Sequence, residues 1–203
     1  MIRNIVFDMG NVLILFDPNR FMDREGITDP EDRRLLMNEL FLSVEWAQMD
    51  CGTLTEETAE PQILQRIPER LHAQTRRLLT AWADPRETIG GMEALVERLR
   101  NQGYRLFLLS NASVAQHSYW PRYTVSRLME GKLISCDVHT VKPNPDIYRL
   151  FTDRFELKPE ECLFVDDAPA NVAAAILCGW QGIVFHGSAE ELERKMKLLG
   201  VRL

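Results

Sequence analysis

Ile5-Val6-Phe7-Asp8-Met9-Gly10-Asn11-Val12-Leu13 is the stretch on which the reading of this chain turns. A short apolar run ends in a carboxylate, and Gly10-Asn11 follows, a pair suited to a turn. A buried parallel strand has this form: apolar residues throughout, then a polar side chain delivered at its C-terminal end. Asp8 is that side chain. Taken alone it reads equally well as a cap or turn residue. Three further polar clusters each appear where an apolar run stops. They are Ser110-Asn111 after the run from Arg105 to Leu109, Lys142-Pro143 after the segment around Ile134 to Val138, and Asp166-Asp167 after the run from Cys162 to Val165. Four such strand ends in register converge on one crevice, the usual ligand position in an open parallel sheet.

The organisation around these segments follows from periodicity. Arg3 to Phe7 is predicted as the first strand. From Asp17-Pro18 to about Pro85 strand-like runs vanish, and large apolar residues recur at spacings of three and four: Leu35, Leu36, Leu40 and Phe41, then Ile63 and Ile67. Cys51-Gly52-Thr53 is predicted as a break, with Thr55 as the N-cap of the next helix, and another helix is expected from Leu71 to Trp82. After Gly90-Gly91, helix and strand alternate. Helices are expected from Met92 to Gln102, through Trp120 to Met129, from Pro145 to Phe155, from Ala168 to Cys178 and from Ala189 to Leu199. Between them, strands are expected from Arg105 to Leu109, near Ile134, from Cys162 to Val165 and from Gly182 to Phe185. Such alternation builds a parallel sheet with helices on both faces. The expected fold class is therefore α/β, with a core of residues 1–16 and 86–203 and a helical bundle of residues 17–85 inserted after the first strand.

A chain of 203 residues is long enough to bury a good core. Its 45% apolar and 27% charged content is that of an ordinary globular protein, and its net charge of −6, with no Lys/Arg block, argues against nucleic acid. An anionic small substrate then needs a metal or local lysines to hold it. Cys51, Cys136, Cys162 and Cys178 form no C-x-x-C pair and are expected as buried free thiols in a reducing compartment. Neither a signal segment nor a membrane-spanning run is seen, so a cytoplasmic protein with no membrane partner is expected.

The ordered set VFDMGNVL, LLSNAS, the lysine of VKPNPDIY, and FVDDAPANV resembles the haloacid dehalogenase superfamily of hydrolases, over essentially the whole chain. Within it the chain is similar to the branch of sugar-1-phosphate phosphatases, notably at Tyr119-Trp120-Pro121, and to the phosphatase domain of soluble epoxide hydrolase. The resemblance implies a Rossmann-like core with a helical cap and a magnesium-dependent phosphohydrolase. Its expected substrate is a small phosphorylated metabolite, with a sugar phosphate such as glucose 1-phosphate leading. Asp8 would be the nucleophile, forming an aspartyl phosphate. Lys142 and Mg²⁺ would neutralise the transferred phosphoryl oxygens. Asp8, the Gly10 carbonyl and Asp167 would ligate the ion, with Asp166 as a further ligand or support, and Asn171 would brace the acidic pair. Ser110 and the Asn111 backbone would bind phosphoryl oxygens. Trp46, Gln48, His117 and Trp120 are the candidate substrate contacts; tryptophans at helical spacing also serve as core.

One departure matters. Most phosphatases of the superfamily carry a second aspartate two residues after the nucleophile as general acid and base; here that position is Gly10. Either the leaving group departs with less help, or another group serves, with Asp17 and His139 as candidates by location, or turnover has been lost and the chain is a binding or regulatory protein. Gly10 also suits a 2-haloacid dehalogenase, which needs no leaving-group acid. The Asp166-Asp167 pair counts against that reading, because carbon–halogen displacement needs no metal. A monomer or homodimer is expected.

Overall fold

The computed structural model describes residues 1–80 and 87–203. Five parallel strands form one sheet in the order β3-β2-β1-β4-β5, comprising β1 (Asn4–Phe7), β2 (Arg105–Ser110), β3 (Gly131–Ile134), β4 (Cys162–Asp166) and β5 (Gln181–Val184). The central strand is the one quoted first. Ile5, Val6 and Phe7 are fully buried, and they alternate between two apolar clusters. Ile5 and Phe7 face the cluster that contains Met92, Leu95 and Leu99 of α6 (Met92–Asn101) and Leu192 and Met196 of α11 (Ala189–Leu198). Val6 faces the opposite cluster, with Ile147, Tyr148 and Phe151 of α9 (Pro145–Phe155) and Ala175 of α10 (Pro169–Leu177). This two-sided burial explains why β1 carries no alternating polar residue.

The register sets the site. Phe7 pairs with Leu108 on one side and Val165 on the other, so the ends of β1, β2 and β4 lie level. β1 sits at the point where the strand order reverses, because β2 and β3 extend one way and β4 and β5 the other.

Between β1 and α6 stand α1 (Pro18–Arg24), α2 (Pro30–Leu36), α3 (Val44–Asp50), α4 (Glu56–Leu64) and α5 (His72–Thr80). They have an apolar cluster of their own, including Phe21, Leu36, Leu40, Ile63 and Leu78. Asp17 and Asp29 cap α1 and α2, each ahead of a proline at the first helical position. Thr55 caps α4 through a reciprocal pair with Thr58, as its position predicts. The periodic segment that carries Leu35, Leu36, Leu40 and Phe41 is α2 followed by a π-helical turn, Met37–Phe41, which keeps Leu40 and Phe41 buried. The expected ends at Ala81 and Trp82, and the boundary at residues 85–86, lie outside the described residues.

Two expectations on the core side are corrected. After one helical turn, α7 (Gln116–Tyr119), Trp120 to Met129 forms two short 3₁₀ segments, Trp120–Arg122 and Thr124–Leu128, because Pro121 and the extended Tyr123 interrupt a continuous helix. The segment to Val138 is strand only as far as Ile134; Ser135–Val138 is one helical turn, α8, closed by His139 at φ +52°. Cys136 and Cys162 are buried free thiols, whereas Cys51 and Cys178 are half-exposed. Among the described residues no helix is long and apolar enough to cross a membrane.

Candidate active site

Asp8 leaves the end of β1 with its backbone N–H still donating to Val165 of β4, 2.8 Å away. Its carboxylate therefore emerges beside that of Asp166, the last residue of β4. Lys142 lies between them: its Nζ donates to Asp8 Oδ1 at 2.7 Å, to Asp166 Oδ2 at 2.6 Å and to the Leu109 carbonyl at 3.1 Å. Lys142 reaches this position from a loop past β3, and Asn111 holds the loop. The Asn111 side chain accepts from the Lys142 backbone N–H at 2.8 Å and donates to its carbonyl at 3.0 Å. An amide side chain that closes both backbone groups of one residue fixes that residue as a strand partner would. The expected role of Asn111 is thus extended: its side chain positions the lysine.

Asp166 and Asp167 are adjacent but differently engaged. Asp166 is fully buried, and its oxygens accept from Lys142, from Asn171 Nδ2 at 3.0 Å and from the Ala168 N–H at 2.8 Å. Asp167 is half-buried on a cavity wall and accepts only a 3.4 Å bond from Asn11 Nδ2 among the described residues. Asn11, at φ +54°, is itself held by the Phe16 N–H, which donates to its Oδ1 at 3.0 Å. Asp8, Asp166 and Asp167 place carboxylate oxygens within 4.8 Å of one another. One lysine does not balance three carboxylates at this spacing. Burial and the Asp166 charge hold Asp167 above the usual carboxylate range. Burial also pushes Asp8 up to about 6, against the pull of Lys142. Burial alone would lower the Lys142 ammonium, but Asp8 and Asp166 more than offset this and raise it. An oxygen-only cluster with surplus negative charge has the donor chemistry of a hard divalent cation.

These groups open into a cavity of about 210 Å³ whose walls include Asp8, Gly10, Ser110, Asn111, Lys142 and Asp167. Trp46 also lines it, packed at a tilt in an aromatic cluster with Phe16 and Phe41 at centroid distances of 5.9 and 5.3 Å. The other candidate contacts lie elsewhere. Trp120 is core, packed with Tyr123, and Gln48 uses its backbone carbonyl to close the turn at Thr53. His117 is exposed, donating from Nε2 to Asp137 at 2.8 Å while Lys132 Nζ stands 3.0 Å from its Nδ1. Asp17 is engaged in capping α1.

Periodicity alone did not single out three further wall residues: Asp50, Glu56 and Tyr119. Asp50 ends α3, and the chain there docks on the core. Ser135 Oγ donates to the Asp50 carbonyl, His139 Nδ1 donates to the Cys51 carbonyl at 3.1 Å, and Cys51 Sγ donates to the His139 carbonyl at 3.4 Å. His139 thus serves to dock the cap helices. Gly52, at φ +72°, completes the contact: a Cβ there would stand 2.3 Å from the Cys136 carbonyl oxygen. The signal available in the sequence was an acid at the last position of a helix, where its charge opposes the helix dipole, two residues before a glycine. Gly52→Ala is expected to cost about 1–3 kcal/mol, since it meets both a left-handed backbone and a fixed carbonyl. Urea unfolding of the variant measures this; an unchanged midpoint would contradict the docking.

The acidic cluster and the buried lysine lie at the sheet's reversal point, where open α/β proteins bind their ligands. The sequence profile of the haloacid dehalogenase-like hydrolases matches residues 2–179, and the chain belongs to that family. It is 25% identical over 115 residues to flavin mononucleotide hydrolase 1 of Arabidopsis thaliana, a match covering 57% of this chain and 46% of that protein. The chain therefore spans less than half the length of that relative. It is 24% identical over 198 residues to a sesquiterpene phosphatase of Aspergillus oryzae, covering 96% and 95% of the two chains. A HAD family enzyme of Bacteroides thetaiotaomicron, solved in complex with magnesium and inorganic phosphate, shares the fold with a TM-score of 0.71 at 20% identity, over 95% of this chain and 99% of the other.

Proposed function

We propose that this hydrolase is a magnesium-dependent phosphohydrolase that transfers a phosphoryl group to Asp8 and then to water. The observation that carries the reading is the meeting of Asp8, Asp166 and Asp167 within 4.8 Å, around one buried lysine, at the wall of a cavity. The curated relatives include a flavin mononucleotide hydrolase and a sesquiterpene phosphatase, and a structural neighbour holds magnesium with phosphate.

The chain's residues divide the work as follows. Asp8 Oδ attacks phosphorus; its partner oxygen stays available to the ion. Lys142 holds Asp8 in one rotamer and presents positive charge where the phosphoryl oxygens gather. Ser110 and Asn111 line the same cavity, and the Ser110 hydroxyl and the Asn111 N–H suit those oxygens. Asp8, the Gly10 carbonyl and Asp167 would hold Mg²⁺, with Asp166 kept out of direct ligation by its four hydrogen bonds. The ion supplies positive charge to the transferring group and relieves the repulsion among the carboxylates. The cavity is below the roughly 300–1,000 Å³ of drug-sized sites, so a small phosphorylated metabolite is favoured, a sugar phosphate first. Trp46 offers a face for a ring.

A dehalogenase reading fits less well, because it gives Asp167 nothing to do. A binding protein without turnover would have no physical need for a buried lysine clamped on two acids, an arrangement that costs stability to maintain. A screen of phosphorylated metabolites with Mg²⁺ decides among them. Turnover is expected to vanish with a chelator and return with Mg²⁺. Independently of activity, Mg²⁺ at about 100 times its Kd is expected to stabilise the native protein by about 2.7 kcal/mol. Asp167→Asn should lose most of that gain; equal stabilisation of both proteins would contradict the assigned ligand.

A further inference from the structure

The residue after the nucleophile's neighbour, where an acid would ordinarily serve the leaving group, is Gly10, so the core supplies no proton donor there. The cavity contains two acids from the inserted helices, Asp50 and Glu56. They are not equivalent. Glu56 accepts a hydrogen bond from Ser113 Oγ, whereas the Asp50 carboxylate accepts none and makes no ion pair among the described residues. Its backbone, by contrast, is held: Ser135, fully buried, grips the Asp50 carbonyl, and Gly52 and His139 lock the next two residues to the core. A side chain anchored at its root and left unpaired at its tip, in the cavity that holds the nucleophile, has the form of a group that waits for substrate.

Resting on the phosphohydrolase reading, we propose that Asp50, delivered by the cap, is the general acid and base that replaces the missing aspartate at Gly10. As Asp8 Oδ bonds to phosphorus, the bond from phosphorus to the leaving oxygen breaks and its electron pair stays on that oxygen. The oxygen takes the proton of the Asp50 carboxyl, and the alcohol departs. The Asp50 carboxylate then removes a proton from water as the water oxygen attacks phosphorus. The Asp8–phosphorus bond breaks, which restores the Asp8 carboxylate, the Asp50 acid and inorganic phosphate. The environment supports a proton on Asp50: burial, with the Asp8 and Glu56 charges, pushes its carboxyl up to about 7 against the opposing Lys142. A donor titrating near neutrality suits this task. A phosphate ester would also be repelled by an ionised Asp50, and a protonated one removes that conflict.

The test compares two substrates with Mg²⁺ present, an alkyl phosphate and p-nitrophenyl phosphate, whose leaving group needs little protonation. In the first turnover, which reads phosphoryl transfer alone, Asp50→Asn is expected to slow release of the alkyl alcohol about 10²–10⁴-fold and release of p-nitrophenol less than about tenfold, while steady-state turnover of both esters falls because both share the attack of water on the aspartyl phosphate. Asp50→Glu, which keeps a carboxyl, should recover part of the alkyl activity. Equal slowing of both esters in the first turnover, or a loss confined to KM, would overturn the role and leave Asp50 a binding or docking residue. The Asp8→Asn variant separates the layers. Native turnover that ends with Asp8→Asn but passes unaltered through Asp50→Asn sinks this inference alone. No Mg²⁺-dependent turnover of either ester, or turnover that survives Asp8→Asn, sinks the phosphohydrolase reading and this inference with it.

Discussion

Asp8→Asn is expected to reduce turnover by on the order of 10⁴-fold or more, because it removes the carboxylate proposed to bond to phosphorus and changes little else in the cavity. The same variant is expected to fold at least as well as the native protein. Asp8 is buried, and its carboxyl is pushed up to about 6 from 3.8, chiefly by desolvation and against the pull of Lys142. An acid whose folded pKa lies above its unfolded value weakens the fold as pH rises through the interval between them. Removing that charge therefore removes a penalty that is absent below about pH 4 and fully present above about pH 6. Metal-free Asp8→Asn should unfold at an equal or higher temperature than the native protein at pH 7.5, with the advantage fading near pH 4. An inactive variant that is also markedly less stable at pH 7.5 would show that Asp8 is held by contacts other than those described.

Lys142→Ala is expected to have the opposite stability effect and an equal functional one. Lys142 is 4% exposed and its ammonium is bonded to Asp8, Asp166 and the Leu109 carbonyl. Truncating it leaves two buried carboxylates facing each other with no cation, and breaking a buried pair in this way typically costs about 3–5 kcal/mol. Because the ammonium is raised above its ordinary value, its contribution is fully present below the unfolded pKa and is lost only as pH climbs through the folded one. The deficit should thus persist across the whole neutral range. Mg²⁺ is expected to restore part of the stability, since it brings positive charge back to the same cluster, but little of the activity. Urea unfolding of native and variant protein, with and without Mg²⁺, checks both statements. A variant as stable as the native protein without metal would contradict the central place given to this lysine.

The core was legible in the sequence because buried parallel strands leave a simple trace. Val6 and its neighbours are apolar on both faces of the sheet, and the polar residues that end β1, β2 and β4 are the ones that meet. Lys142 was found as a residue but misplaced in its element: it follows a helical turn and a loop, and what brings it home is the Asn111 side chain, a contact between residues 31 apart that no local pattern encodes. The cap was legible as helices and, Trp46 apart, illegible as a wall. Periodicity says that Ile63 and Leu36 are buried; it does not say which helix end will face the sheet. Asp50 and Glu56 were missed for that reason, and His117 and Trp120 were expected near substrate because they follow the second motif closely in sequence. In the folded chain His117 pairs with Asp137 at the surface, and Trp120 packs into the core.

A rapid-quench experiment on the full chain addresses the phosphoryl acceptor most directly. Protein with Mg²⁺ is mixed with a ³²P-labelled substrate found in the metabolite screen, quenched in acid within the first turnover, digested, and treated with hydroxylamine. The expected result is label on the peptide that contains Asp8, released by hydroxylamine with conversion of that side chain to a hydroxamate. Label on a hydroxylamine-resistant peptide elsewhere, or turnover with no label on protein at any time, would contradict it.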